Sequence, residues 1–342
     1  MFACKVLLTF FGCRAILARH FAHVLVVREP RTDLNPTFRL MTSRIPFFKY
    51  SATGNDFILF DNRSRIFFGN ETALFEKLCA RKTGIGADGI LLIEKPRVAN
   101  CDFTMRYFNR DGRESEMCGN GARASAFHAA NTQLAPNPMR FEVSGDVYHA
   151  WIGGAEVRLL MQTPWDLRIK PGVVAPNNSP LEGGQGGVGR NHEELLAANN
   201  TPLTPLKGGM LMEAGFVNTG VPHYVLFVSN VDQIDVEAIG RELRHHAAFA
   251  PAGTNVNFVE RLAPSRVKLR TYERGVEEET LACGTGATAT ALFTHLLYDD
   301  TFPIDIQTCG GKITVSRDVA TERFLLHGQV ERVFIGEFEL CK

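Results

Sequence analysis

The chain has 342 residues, with 37 basic and 37 acidic side chains, so its formal net charge is zero. Proteins that bind nucleic acid or acidic membranes usually carry a basic excess, and the composition therefore disfavours both partners. The 45% hydrophobic content can fill a sizeable core, and the length suggests two domains. The sequence contains no stretch near the ~20 apolar residues that span a bilayer.

The cysteines are scattered along the chain and form no Cys-x-x-Cys pair. In a chain of this length, such spacing indicates free thiols in a reducing compartment, and we expect a cytoplasmic protein. Zinc sites usually use closely spaced cysteines, so we expect no metal site. The eight positions are Cys4, Cys13, Cys79, Cys101, Cys118, Cys283, Cys309 and Cys341.

Residues 1–44 are predicted to be an N-terminal extension that is disordered or arises from a start assigned too early. Lys5 and Arg14 flank a short apolar run, which resembles a signal or transit peptide only weakly. Met41 stands just ahead of the first strand-like segment.

From Ile45 onward, short β-branched and aromatic runs alternate with glycine-rich turns, which is typical of strands. Helices are predicted over 71–83 and from about Asn120. "GIGADG" (84–89) is followed by a strand-like run, so a dinucleotide-binding loop is disfavoured. The predicted strands are "PFFKYSATGNDFILFD", "DGILLIEK", "DFTMRYFN", "MRFEV" and "EVRLLMQ".

Residues 171–209 are rich in Gly, Pro and Asn and contain few large apolar groups. Such a segment cannot bury enough surface to offset its ordering entropy. We expect a disordered surface insertion without chemistry, in which "EELLAA" forms at most one helical turn.

The segment after Gly209 repeats the organisation of the first half. From Asn55 to Cys118 is 63 residues, and from Val221 to Cys283 is 62. Each cysteine precedes an alanine-rich helix and then a strand, so the spacing indicates an internal duplication of lobe size. The later predicted strands are "HYVLFV", "TNVNFVE", "VKLRTYE", "IDIQT", "KITVS", "RFLLHG" and "RVFIGEFEL".

The duplicated cysteines stand at the start of predicted helices, in "CGNGA" (118–122) and "CGTGA" (283–287). Unpaired backbone N–H groups and the helix dipole are expected to lower the pKa of a thiol at such a position. The same N–H groups can hold a carboxylate. Two such corners facing one small acid could invert a stereocentre: one thiolate removes the α-proton while the other thiol protonates the opposite face.

Five segments in order resemble the diaminopimelate epimerase family: "TGNDFILFDNR", "TGIGADGILLI", "YFNRDGRESEMCGNGARA", "GTNVNFVE" and "YERGVEEETLACGTGATA". The resemblance implies interconversion of LL- and meso-diaminopimelate without pyridoxal phosphate, metal or other cofactor, on the route to lysine and peptidoglycan precursors. Enzymes of this family are often dimers, so a homodimer is one expectation, although no interface is evident from the sequence.

The resemblance also implies an α/β (α+β) fold of two pseudo-symmetric lobes. Each lobe is expected to be a curved, mainly antiparallel sheet around a central helix, with the active site in the cleft between them. The first lobe spans 45–165 and is joined by the C-terminal strand 331–342. The second lobe spans 166–330 and contains the insertion 171–209.

The resemblance assigns roles to individual residues. Cys118 and Cys283 are the expected acid–base pair, and His223 and Glu273 tune them. Arg274 anchors the distal carboxylate through its guanidinium. The expected substrate-binding residues are Asn55, Asn109, Gly119, Asn120, Asn255, Glu273, Arg274, Gly284 and Thr285.

Two positions depart from the family pattern. Val221 stands where many members have Asn, and Gly89 stands where many have Gln. Valine cannot hydrogen-bond through its side chain, and glycine offers only backbone groups. We therefore expect either that a neighbour such as Asn218 or Thr219 compensates, or that the distal end of the substrate is held differently.

Three alternatives remain. A proline or hydroxyproline racemase-like enzyme would share the fold and the chemistry, but the predicted polar and charged site residues favour a substrate with a second charged end. A cysteine-nucleophile hydrolase would need a histidine base, and His128 is expected to point away from the helix start. A redox sensor would join Cys118 to Cys283 in a regulatory disulfide.

Overall fold

The computed structural model describes residues 42–169 and 211–341. The predictions for residues 1–41 and for the whole insertion 171–209 lie outside this part of the chain. Within it, four helices accompany seventeen strands that hydrogen-bond into one continuous sheet. No helix in the described residues is long and apolar enough to cross a membrane.

The first half contains nine strands and two helices. In chain order these are β1 (Thr42–Ala52), β2 (Asn55–Asp61), α1 (Thr72–Cys79), β3 (Gly89–Glu94), β4 (Phe103–Asn109), β5 (Glu114–Ser115), α2 (Gly119–Asn131), β6 (Met139–Val143), β7 (Asp146–Gly153), β8 (Glu156–Leu160) and β9 (Trp165–Ile169).

The second half repeats that order. Its elements are β10 (Leu211–Asn218), β11 (Pro222–Val228), α3 (Val236–Arg244), β12 (Asn255–Ala263), β13 (Arg266–Glu273), β14 (Glu278–Thr280), α4 (Gly284–Tyr298), β15 (Ile304–Thr308), β16 (Gly311–Arg317) and β17 (Phe324–Cys341).

Strand pairing shows the duplication directly. β2 and β3 pair in parallel, as do β11 and β12, and each pair is connected through a short helix. β4 pairs in parallel with β6 around α2, and β13 with β15 around α4. All other strand pairs are antiparallel. The predicted fold of two pseudo-symmetric lobes with mainly antiparallel sheets is therefore confirmed.

The last strand of each half pairs with the first strand of the other half. β17 pairs with β1 from Val330 to Cys341, and β9 pairs with β10. This exchange fastens the two halves to each other and places the N-termini of α2 and α4 between them. The exact limits proposed for the two lobes stay a prediction.

The two central helices are buried nearly all round. Small side chains let the sheet wrap closely around a helix, and a helix without a polar face belongs in a core. Alanine and glycine dominate the first turns of both helices, and in α4 the buried residues continue from Gly284 to Thr294. This close wrapping fixes the direction of each helix, and therefore the position of its N-terminus.

Several element boundaries differ from the sequence prediction. β1 begins at Thr42, within the predicted extension 1–44, because it pairs with the end of β17. The helix predicted over 71–83 ends at Cys79, since the backbone N–H groups of Gly86 and Ala87 turn back to bond the carbonyls of Leu78 and Cys79.

The prediction missed helix α3 and strands β5, β7, β9, β10 and β14, and it split β17 into two strands. The signal for α3 was present. Asp235 caps the helix by accepting from the N–H of Ala238 at 3.0 Å, and Val236, Gly240 and Leu243 are buried at helical spacing.

One close contact in the second lobe gives a stability prediction. A Cβ at Gly215 of β10 would lie 2.1 Å from the Phe293 ring of α4. Because overpacking a core costs roughly 1–3 kcal/mol, we expect Gly215→Ala to lower the free energy of unfolding by about that amount in urea denaturation. Gly153→Ala is the control, since nothing lies within 4 Å of its added methyl; equal effects of both variants would contradict the packing argument.

Candidate active site

Both cysteine corners form helix N-caps of the same geometry. Cys118 and Cys283 have extended backbones, with φ and ψ of −130° and 110° and of −119° and 116°. The Sγ of Cys118 accepts from the N–H of Gly121 at 3.4 Å, and that of Cys283 from the N–H of Gly286 at 3.4 Å. The sulfurs thus replace the capping oxygen that such positions usually carry.

The N-termini of α2 and α4 meet in the middle of the molecule. A Cβ on Gly119 would lie 3.3 Å from the Cα of Gly284, and a Cβ on Gly284 would lie 2.9 Å from the side chain of Leu326. No side chain fits between the two helix ends, so both positions favour glycine. Cys118 and Cys283 line the same cavity of about 800 Å³.

The cavity gathers nearly all of the predicted site residues. Its lining includes eleven of the twelve: Asn55, Asn109, Cys118, Gly119, Asn120, Asn255, Glu273, Arg274, Cys283, Gly284 and Thr285. The exception is His223, which is fully buried directly behind Thr285. Residues more than 200 positions apart in the sequence therefore share one site, at the size typical of small-ligand pockets.

The expected lowering of the thiol pKa values is wrong for this cavity. Burial raises the pKa of Cys118 to about 12, and the charge of Glu273 raises it further. The same two effects raise the pKa of Cys283 well above its usual range. The capping N–H groups act in the opposite direction but do not compensate for lost hydration. In the empty cavity both sulfurs are therefore protonated at neutral pH, and a change in the charges around them is needed to ionise either one.

Glu273 is the acidic group in the cavity that titrates near neutrality. Burial raises the pKa of its carboxyl to about 7, and the charge of Asp88 acts in the same direction. Glu273 is also the charge that most strongly opposes ionisation of both thiols. The protonation of this carboxyl and that of the two sulfurs are thus linked.

A chain of neutral hydrogen bonds ends on Cys283. The Asn257 amide nitrogen donates to Nδ1 of His223 at 3.0 Å, so Nε2 carries the proton and lies 2.9 Å from Oγ1 of Thr285. That hydroxyl lies 3.4 Å from Sγ of Cys283. Burial and the charge of Arg274 lower the pKa of His223 to about 3, so the imidazole is neutral and the chain delivers a donor to the sulfur.

The surroundings of Cys118 are different. Asn120 donates from its amide nitrogen to Oδ1 of Asn55 and, at 2.9 Å, to the carbonyl of Ala282 in the other lobe. Its own Oδ1 accepts from the buried guanidinium of Arg123 at 2.8 Å. The two thiols therefore occupy equivalent places in the fold with unlike polar partners.

The structure accounts for one of the two departures from the family pattern. A Cβ at Gly89 would lie 2.6 Å from the ring of Tyr107 and 2.5 Å from the carbonyl of Phe108. Tyr107 lines the cavity, and its hydroxyl makes no hydrogen bond within the described part of the chain. The Tyr107 ring thus takes the room that a longer side chain at position 89 would need.

The proposed compensation for Val221 is not supported. Val221 lines the cavity, whereas Asn218 and Thr219 do not. The Oδ1 of Asn218 accepts from the N–H of Gly220 at 2.9 Å, and the hydroxyl of Thr219 donates to the carbonyl of Thr285. The Asn218 side chain is thus bound within the turn, and the Thr219 hydroxyl is bound to the start of α4.

Charged groups surround the mouth of the cavity. Arg110 bonds Glu278 of the other half at 2.6 Å, and Nη2 of Arg274 lies 3.5 Å from Glu116. The Oδ1 of Asn255 accepts from the backbone N–H of Arg274 at 2.7 Å and so fixes the strand end that carries this guanidinium. Arg274 is loosely paired and can exchange Glu116 for a carboxylate in the cavity.

The histidine considered for a nucleophilic mechanism lies elsewhere. His128 bonds the hydroxyl of Tyr50 at 3.0 Å and packs edge-on against Phe48. It does not line the cavity. The five cysteines whose side chains are described, Cys79, Cys101, Cys118, Cys283 and Cys309, are free thiols.

Sequence reasoning missed four polar residues around the two thiols: Asp88, Tyr107, Arg123 and Asn257. Arg123 was the easiest of the four to predict, because a cation inside a buried, alanine-rich helix is unusual. Asn257 alternates with Asn255 along β12 and so shares a sheet face with it. Asp88 and Tyr107 gave no local signal.

The fold and the paired cysteine caps define a two-lobed, duplicated class of α+β proteins. Solved structures with this fold include a phenazine biosynthesis protein of the PhzF family from Bacillus anthracis (TM-score 0.59, 16% identity, covering 87% of this chain and 99% of that one). Another is a hydroxyproline epimerase from Agrobacterium vitis (TM-score 0.56, 12% identity, covering 87% and 93%).

The chain belongs to the diaminopimelate epimerase family, whose model matches residues 47–160 and 215–333. Relatives named diaminopimelate epimerase include proteins from Flavobacterium psychrophilum (36% identity over 84% of this chain and 97% of the relative) and Aquifex aeolicus (35% over 85% and 96%). A third, from Chlorobaculum tepidum, is 40% identical over 72% of this chain and 82% of its own length.

Proposed function

We propose that this protein is an isomerase that interconverts LL- and meso-diaminopimelate by proton transfer between two cysteines and the α-carbon, on the route to lysine. The observation that carries the proposal is the meeting of the two cysteine-capped helices at one cavity. Family membership identifies the substrate, and the geometry supplies a base and an acid from opposite lobes.

In the proposed reaction, one sulfur is a thiolate and the other a thiol. The thiolate takes the α-proton from one face of the substrate, and the thiol gives its proton to the opposite face. The configuration at carbon inverts, and the enzyme is left with the two protonation states exchanged. The reverse reaction starts from that state, so two bases in equivalent positions suit a reversible epimerisation.

The carbanion formed at the α-carbon needs stabilisation of its neighbouring carboxylate. The N–H groups of the first helical turns have no intrahelical partner, and those at residues 119, 120, 284 and 285 surround the point where the helices meet. Two helix dipoles also direct their positive ends there. We assign the α-carboxylate to this place, where the donors resemble an oxyanion hole.

Glu273 would bind the α-ammonium group and thereby control the thiols. Its charge opposes ionisation of both sulfurs in the empty cavity. A substrate ammonium beside the carboxylate neutralises that charge and favours thiolate formation. The base would then be generated when substrate is present. Arg274 would hold the distal carboxylate, with Asn55, Asn109 and Asn255 at the polar ends.

A proline or hydroxyproline racemase-like activity remains the alternative within this fold. The likeness to the hydroxyproline epimerase concerns the fold alone at 12% identity. The charged mouth of the cavity, with Arg110, Arg244 and Arg274, suits a substrate with a second carboxylate better than a ring. The cytoplasmic location and the homodimer stay predictions from the sequence.

The test is to incubate the purified, reduced protein with LL-diaminopimelate in D₂O. We expect meso-diaminopimelate to accumulate and deuterium to enter the α-carbon, without added cofactor. Proline and hydroxyproline are tested in parallel. Inversion of either of these, with none of diaminopimelate, would favour the alternative, and no exchange with any substrate would contradict the two-thiol chemistry.

A further inference from the structure

Arg123 is a fully buried cation whose guanidinium has no carboxylate partner among the described residues. The side chain is 0% exposed. Only Nη2 is bonded, to Oγ1 of Thr53 at 2.9 Å and to Oδ1 of Asn120 at 2.8 Å. Nε and Nη1 have no partner, and the described residues place no carboxylate within 4 Å of the guanidinium.

Burying an unpaired charge costs several kcal/mol, and the surrounding chain is shaped to accept it. A Cβ at Gly328 of β17 would lie 2.7 Å from the guanidinium carbon. The β17 backbone therefore packs directly against Arg123, and a side chain at position 328 would displace the guanidinium. A buried, unpaired charge in a space shaped to hold it is more plausible at a functional site than as a group that only fills the core.

The position of Arg123 relates it to one thiol and not to the other. It lies five residues after Cys118 on α2, and its charge favours the Cys118 thiolate. The equivalent residue on α4, five after Cys283, is Thr288, whose hydroxyl donates to the carbonyl of Gly284. Cys283 has instead the neutral donor Thr285.

We propose that Arg123 is a positioning residue that acts as the buried counter-charge of the Cys118 thiolate and orients Asn120 across the cleft. This inference rests on the proposed two-thiol function, which it deepens. Other groups that face Cys118 are Glu273 from β13, Tyr107 from β4 and the N–H groups at the start of α2. Arg123 is the cation whose charge favours the Cys118 thiolate, and Arg274 lines the same cavity.

The second part of the role follows from the Asn120 carboxamide. Its oxygen is bound by Arg123, so its nitrogen must face Asn55 and the carbonyl of Ala282. Ala282 directly precedes Cys283. The guanidinium thereby supports a bridge between the two cysteine corners, and replacement by methionine would remove the donor that holds the amide oxygen.

The test measures alkylation of Cys118 by iodoacetamide across pH, with site-resolved mass spectrometry, in a Cys283→Ser background. Cys118 is partly exposed to the cavity and accessible to the reagent. Arg123→Met and Arg123→Gln remove the charge, and Arg123→Lys keeps it. Thr288→Met is the matched control at the equivalent position on α4.

We expect the neutral variants to lower the rate of Cys118 alkylation at pH 8 about tenfold, as a rise of about one unit in the pKa of the thiol would. Arg123→Lys should retain most of the wild-type rate, and Thr288→Met should leave the rate at Cys118 unchanged. Because removing an unpaired buried charge does not destabilise a core, the melting temperature of Arg123→Met should equal or exceed that of its parent.

An unchanged alkylation rate in the neutral variants would overturn the proposal. Equal losses of rate in the neutral and lysine variants, with loss of thermal stability in both, would also overturn it, because the role would then be packing. If neither neutral variant folds, the cation serves the fold and the proposal is wrong. The alkylation assay needs no epimerase activity, so failure of the proposed function would be seen separately in the D₂O experiment.

Discussion

Cys118→Ser and Cys283→Ser are each expected to lower the kcat of diaminopimelate epimerisation by about 10³-fold. A hydroxyl is a far weaker acid than a thiol, and general acid–base catalysis contributes roughly 10²–10⁴-fold. Because inversion needs a base on one face and an acid on the other, loss of either sulfur breaks the same cycle. The measurement is the initial rate of meso-diaminopimelate formation by the two variants and the wild type.

The double variant should lose little more activity than either single variant, because groups that act as a unit are not additive. Cys79→Ser is the matched control: Cys79 is buried, 3% exposed, its pKa is likewise raised to about 12 by burial, and it lies outside the cavity. Its rate should stay within twofold of wild type. An active Cys283→Ser enzyme would instead indicate a nucleophilic role for Cys118 alone.

The main elements of the site were predictable because they are encoded locally. A cysteine before a glycine-rich, alanine-rich segment predicts a helix N-cap, and two equal spacings predict a duplication. Both predictions are confirmed by α2 and α4. Many of the strands were predictable for the same reason, since β-branched and aromatic runs between turns indicate strands.

The electrostatics of the site could not be predicted in the same way. The sign of the Cys118 pKa shift depends on how completely the two lobes exclude water, and only the assembled cavity fixes that. Likewise, the reason for a glycine at position 89 is the Tyr107 ring that packs against it, and this contact is not evident from the sequence. Arg123 and Gly328 are 205 positions apart, and no local pattern connects them. Such features arise from tertiary packing, which sequence periodicity does not indicate.

Glu273→Gln is expected to lower kcat/KM for diaminopimelate by about 10²-fold while making both thiols more reactive. The carboxamide keeps the shape of the side chain but cannot neutralise an ammonium group, so substrate binding and orientation are lost. At the same time, removing the charge that raises the pKa of Cys118 and Cys283 should speed their alkylation at pH 8. Steady-state kinetics and site-resolved iodoacetamide labelling measure the two effects.

The same variant should stabilise the fold in a defined pH range. Burial raises the pKa of Glu273 from 4.5 to about 7, so the folded state retains a proton that the unfolded state releases above pH 4.5. Stability of the wild type is therefore lost between about pH 4.5 and 7 relative to the variant. Above pH 7 the free energy of unfolding of Glu273→Gln should exceed that of wild type by roughly 1–3 kcal/mol, and the difference should vanish near pH 4.

Glu142→Gln separates this behaviour from the loss of any buried carboxylate. Glu142 is 5% exposed, bonds Thr104 and the N–H of Gly145, and lies outside the cavity. Its substitution should leave epimerisation and both thiol reactivities unchanged. If Glu273→Gln were less stable than wild type at pH 8, or its thiols no more reactive, the carboxyl would be an ordinary structural acid. If Glu273→Gln gains stability and thiol reactivity but loses activity, the Glu273 carboxylate is a charge that serves the reaction and lowers the stability of the fold.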